Sequence, residues 1–66
     1  MKIDRFNVVE LKDGNRATII DVRGKNEYFA EVVNAYGQTV AKRNIIDEEI
    51  KEYFKFKIAH YTKIYI

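Results

Sequence analysis

Arg5-Phe6-Asn7-Val8-Val9-Glu10-Leu11-Lys12-Asp13-Gly14-Asn15-Arg16-Ala17-Thr18-Ile19-Ile20-Asp21-Val22 is a pair of strand-length runs around an Asp-Gly break. Asp-Gly between β-branched runs is a strong short-range hairpin signal, because glycine takes a positive φ at no steric cost. The same grammar continues downstream. Arg23-Gly24-Lys25-Asn26-Glu27 is a polar break, and Tyr28-Phe29-Ala30-Glu31-Val32-Val33-Asn34 is a third run. Ala35-Tyr36-Gly37-Gln38 is a tight turn in which Gly37 is the positive-φ candidate, and Thr39–Ile46 is a fourth run. The pattern predicts an antiparallel β meander. It sets a fold class without naming an activity.

Asp47-Glu48-Glu49-Ile50-Lys51-Glu52 changes character. Asp47 is a capping residue and the glutamates suit a first helical turn, so a short helical or 3₁₀ turn is predicted to about Glu52. The last segment, residues 53–66, alternates as a strand. Phe54, Phe56, Ile58, Thr62, Ile64 and Ile66 take one face, and Tyr53, Lys55, Lys57, Tyr61, Lys63 and Tyr65 take the other. A helical stripe through Ile50, Tyr53, Phe54, Ile58, Tyr61 and Tyr65 is the competing pattern. The strand reading matches more positions and suits the residue types better.

A chain of 66 residues is expected to be one domain, 1–66, with 53–66 as a C-terminal strand extension. It lacks Pro, Trp, Ser and Cys. No disulfide framework or thiolate site is available, and a small domain without such staples is expected in the cytoplasm. Neither a targeting segment nor an apolar run of membrane-spanning length is visible. The net charge is +2, but unevenly spread. Residues 1–52 hold nine Lys/Arg against ten Asp/Glu, whereas residues 53–66 hold three lysines, one histidine and no acid. A basic tail favours a polyanion. It equally serves as a solvated strand face that discourages edge-to-edge aggregation, and codon bias towards Ile, Lys, Asn and Tyr produces the same composition.

Predicted core residues are Val9, Leu11, Ile20, Val22, Tyr28, Ala30, Val32, Val40 and Ile50. Adjacent pairs such as Val8-Val9, Ile19-Ile20 and Val32-Val33 place apolar side chains on both faces of the sheet. The second face then needs a cover, either the C-terminal strand or a second copy of the chain.

The order strand, Asp-Gly turn, strand, polar loop, strand, glycine turn, strand, helical turn, strand resembles an SH3-like barrel of about five strands. Phe6-Asn7-Val8-Val9-Glu10-Leu11-Lys12-Asp13-Gly14 and Ala17-Thr18-Ile19-Ile20-Asp21-Val22 look like the opening of small bacterial SH3-like domains, KOW-type modules included. Tyr28-Phe29-Ala30-Glu31-Val32-Val33 and Tyr36-Gly37-Gln38-Thr39 continue the likeness, which spans roughly Phe6 to Ile50. The resemblance implies a small antiparallel barrel, and it speaks to fold more than function. Ala17 stands where many such domains have glycine. The short break at Asp13-Gly14 also removes part of the wall of the usual peptide groove.

Catalysis finds little to work with. No Ser or Cys can be activated, and Thr18, Thr39 and Thr62 lie in predicted strands, where Thr is a common β-former. His60 is the lone histidine, a possible base or pH-sensitive contact that is more ordinarily a packed residue. Asp47, Glu48, Glu49 and Glu52 form the one acidic cluster, which a helix start explains without metal. Arg23-Gly24-Lys25 lacks phosphate-loop spacing. The chain is therefore expected to be no enzyme and to use no cofactor, metal or small-molecule substrate. The leading reading is a non-catalytic interaction module that binds a protein or itself. The alternatives are a KOW-like nucleic-acid-binding module and an accessory subunit of an enzyme. Candidate contact residues are Arg16, Lys42, Arg43, Tyr53, Lys55, Lys57, Tyr61, Lys63 and Tyr65, where lysines meet phosphates and rings stack on bases.

Overall fold

The computed structural model describes residues 2–57, with side chains through Phe54. Five strands form one antiparallel sheet: β1 (Asn7–Leu11), β2 (Arg16–Val22), β3 (Glu27–Val33), β4 (Thr39–Ile46) and β5 (Ile50–Lys57). The spatial order is β4-β3-β2-β1-β5, so the first four strands are a meander and β5 returns to pair with β1. A 3₁₀ turn, Asp47–Glu49, joins β4 to β5. It is shorter than the predicted turn, and β5 begins at Ile50. Asp47 does not cap it. Glu49 does that work, its Oε2 accepting the Ile46 N–H at 3.0 Å.

Both predicted glycine turns form, with one hydrogen-bond pattern. Gly14 N–H donates to Leu11 O (3.0 Å) and Leu11 N–H to Asn15 O (2.8 Å). Gly37 N–H donates to Asn34 O (3.0 Å) and Asn34 N–H to Gln38 O (3.0 Å). The closing residue of each turn has positive φ, 94° at Gly14 and 82° at Gly37, as a three-residue hairpin loop with a glycine bulge requires. Phe6 also has positive φ, 68°, which is costly for a bulky residue. It is held there by its N–H bond to Ile19 O and by the Asp4–Asn7 turn, in which the buried Asn7 Oδ1 accepts the Asp4 N–H at 2.8 Å.

One face of the sheet carries the core: Val9, Leu11, Ala17, Ile19, Tyr28, Ala30, Val32, Ile45 and Ile50, joined by Ile3 from the N-terminal segment. Register explains this set. Val9, Ala17, Val32 and Ala41 stand opposite one another across β1 to β4, and Ile19 stands opposite Ala30. Six of the nine expected core residues are buried. Ile20, Val22 and Val40 are not; Val22 is 41% exposed and Val40 53%. Ile20 and Val40 are each the extra residue of a β-bulge, Ile20 between the Ile19–Ala30 and Asp21–Phe29 pairs, Val40 between Ala41–Val32 and Thr39–Val33. A bulge reverses the in–out alternation of everything beyond it. Val22, past the first bulge, ends its strand at the rim.

The sheet is not closed into a barrel. Among the described residues β4 pairs with β3 alone, although Ile45 and Ile50, at the ends flanking the 3₁₀ turn, share the core. The bulge at Val40 and the exposed Lys42 in mid-strand both work against a further ladder on β4, the means by which edge strands resist pairing.

Candidate interaction surface

The second face of the sheet is neither fully wet nor fully covered. A row crosses it from Phe54 through Val8, Thr18 and Glu31 to Lys42, each opposite the next. Val8 and Thr18 are buried, 8% and 7% exposed. The adjacent row is Glu52, Glu10, Arg16, Val33 and Thr39. Between the rows lies a groove of about 540 Å³. Val8, Thr18 and Val33 line it, Glu10 and Arg16 flank it, and the Gly14 and Asn34–Gly37 turns bound it. The turns flank one end because β1–β2 and β3–β4 reverse at the same edge of the meander. Asn34 stiffens its turn: Oδ1 accepts the Tyr36 and Gln38 N–H groups (2.9 and 3.0 Å), and Nδ2 donates to Gln38 Oε1 (3.0 Å).

The expected basic–aromatic face divides. Arg16 and Lys42 lie on the outer face, each directly across from a carboxylate residue, Glu10 and Glu31. Arg43 lies on the core face opposite Ala30, and its guanidinium reaches Glu49 at 2.9 Å. Tyr53 also lies on the core face, opposite Val9, half-buried against the core with its hydroxyl 3.5 Å from Asn7 Oδ1. Its ring is therefore not on a wet face. Its register places Phe54, not Tyr53, on the outer side, the reverse of the expected assignment. Lys55 falls within an irregularity where β1 pairing passes from Phe54 to Lys57. Tyr61, Lys63 and Tyr65, with His60 and Thr62, lie outside the described residues.

The acidic turn is occupied by internal contacts. Tyr28 Oη donates to Asp47 Oδ1 at 2.7 Å, and Asn26 Nδ2, oriented to satisfy its neighbours, donates to Asp47 Oδ2 at 2.9 Å. Burial, and then the Asp47 carboxylate, push the Tyr28 hydroxyl up to about 12. The hydrogen bond from Arg43 holds Glu49 below the usual carboxylate range, and the same bond raises Arg43. Among the described residues no group of three or more His, Cys, Asp or Glu side chains is placed to hold a metal ion. No helix among them is long and apolar enough to cross a membrane.

Sequence reasoning reached Arg16 and missed the rest of the groove. The available signal was the apolar pairs Val8-Val9 and Val32-Val33, which demand a partly covered second face. Which of each pair turns outward depends on register. No protein-family model matches the chain, and neither the curated proteins nor the solved structures contain a significant match.

Proposed function

We propose that this chain is a non-catalytic interaction module that binds a protein partner in the outer-face groove. One observation carries the reading: the groove is preformed. Its floor residues Val8 and Thr18 are already buried, and both bounding turns are fixed by their own hydrogen bonds, so little ordering cost attends binding. The element order is the one on which the SH3-like resemblance rests, but the sheet is open and not a barrel. The mixed charge of the outer face favours a protein over a nucleic acid. Glu10, Glu31 and Glu52 are interleaved with Arg16 and Lys42, whereas a polyanion needs a continuous cationic track.

The test is affinity capture by the immobilised chain, with both protein and nucleic acid identified, repeated with Val33→Arg and Ala35→Trp, which obstruct the groove from its floor and its rim. A protein retained by the native chain and lost from both folded variants is the expected result. Retention of RNA or DNA that falls steeply between low and physiological salt, unaffected by either variant, would replace this reading with the nucleic-acid one.

A further inference from the structure

We infer that the groove is specific for an extended peptide segment carrying an internal Asp or Glu side chain, which Arg16 engages; the inference rests on the protein-binding reading above. Arg16 is exposed, lines the groove and stands directly opposite Glu10, yet it makes no salt bridge among the described residues. Its guanidinium lies over the Phe54 ring instead, 5.5 Å from the centroid. This cation–π contact uses the face of the guanidinium and no N–H group, and a guanidinium's paired N–H donors suit two parallel bonds to a carboxylate. Two other arginines are ion-paired: Arg43 with Glu49 at 2.9 Å and Arg23 with Asp21 at 3.6 Å.

The surroundings of Arg16 select among anions. A terminal carboxylate or a phosphate group is ordinarily held by several backbone N–H groups in a concave turn. Here the N–H groups of Gly14, Tyr36, Gly37 and Gln38 are all committed within their own turns. One guanidinium presents a pair of parallel donors, enough for a single carboxylate and too few for the three oxygens of a phosphate, and Glu10 across the strand weakens the attraction for any anion. The apolar floor of Val8, Thr18 and Val33 suits small or β-branched neighbours on the bound segment.

A displayed library of random octapeptides, selected in parallel against the native chain, Arg16→Gln and Val33→Arg, tests this. Arg16 is exposed and Val33 is half-buried on the outer face, away from the core, so a dispersed amide spectrum is expected for both variants and serves as the folding control. Octapeptides enriched on the native chain are expected to carry one Asp or Glu between apolar residues. Replacing that acid by Asn or Gln in the synthetic peptide should weaken binding about ten-fold, the size of a well-placed charged hydrogen bond. On Arg16→Gln the ten-fold difference should vanish while the apolar preference remains. Enriched peptides without an acidic preference overturn the Arg16 inference and leave groove binding standing. No enrichment, or enrichment untouched by Val33→Arg, overturns groove binding itself. A concentration-dependent dimer that Val33→Arg abolishes identifies a second copy of the chain as the occupant, which overturns the Arg16 inference and leaves groove binding standing.

Discussion

The two faces of this sheet are built from alternate residues of the same strands, and they reach different ends. On the inner face Val9, Ala17, Ile19, Ala30 and Val32 exclude water almost completely. On the outer face, Val8 and Thr18 are buried, but the next row is charged at Glu10 and Arg16. The inner face is satisfied by packing within the chain. The outer face stops at half-coverage and leaves a groove. A sheet of this size has apolar residues for one complete layer and part of another, and the incomplete layer is the one open to a partner.

Neighbouring isoleucines give the sharpest test of that contrast. Ile19→Ala should cost about 2–5 kcal/mol in urea denaturation, as a fully buried aliphatic does. Ile20→Ala, at the bulge, should cost less than about 1 kcal/mol. Since a 66-residue domain has a net stability of only about 3–10 kcal/mol, Ile19→Val, at about 1 kcal/mol, keeps the comparison measurable. Equal costs at positions 19 and 20 would mean that the bulge is misplaced.

Next in size is Tyr28, where the inner face meets the 3₁₀ turn. Tyr28→Phe should lose about 1.5 kcal/mol, the low end for a hydrogen bond to a charged group, because the pair is only part-buried. The hydroxyl is pushed up from 10.0 to about 12, so its contribution is complete below pH 10 and is lost as pH rises through about 12. The stability difference between native and Tyr28→Phe chains should therefore be flat to pH 10 and shrink above it. A difference that shrinks instead with acid alone would assign the effect to Asp47.

The groove wall is tested by glycine. Gly37→Ala should cost about 1 kcal/mol, because φ is +82° and nothing crowds the new methyl. Gly24→Ala, with open space and no positive φ, should stay within about 0.5 kcal/mol of the native chain. Thermal unfolding separates them.

A small effect is expected at Arg43, on the core side of the edge strand β4. Its ion pair with Glu49 is more than a third exposed, so Arg43→Ala should cost about 0.5 kcal/mol. Glu49 is held below the ordinary carboxylate value, so that contribution is present above about pH 4.5 and is lost as pH falls. A difference that persists unchanged into strong acid would show that Arg43 acts through packing of its aliphatic stem.

Much of the chain was legible before any coordinates. Asp13-Gly14 and Tyr36-Gly37 mark turns because positive φ is a local demand met by one residue type. Strand identities follow from β-branched and aromatic content, also a local property. The choice of Ile20 over Ile19 for the core shows where legibility ended. Ile19-Ile20 is apolar at both positions, and only pairing with Ala30 and Phe29 shows which is the bulge. Tyr53 and Phe54 repeat the lesson in β5, where irregularities follow Ile50 and Phe54 in the register with β1. The groove residues were hidden for the same reason, since Val8 and Val33 line it only by virtue of the strands beside them.

The amino-acid sequence by itself determined five strands, two glycine hairpins, an acidic break before the last strand and a chain without Ser or Cys nucleophiles. These are consequences of backbone preference and residue inventory, which each segment carries alone. Tertiary structure decided the open edge at β4, the bulges, the division of Arg16 from Arg43 and the groove between the glycine turns. Those depend on register between segments distant in the chain, and a slip of one residue exchanges the two faces of a strand.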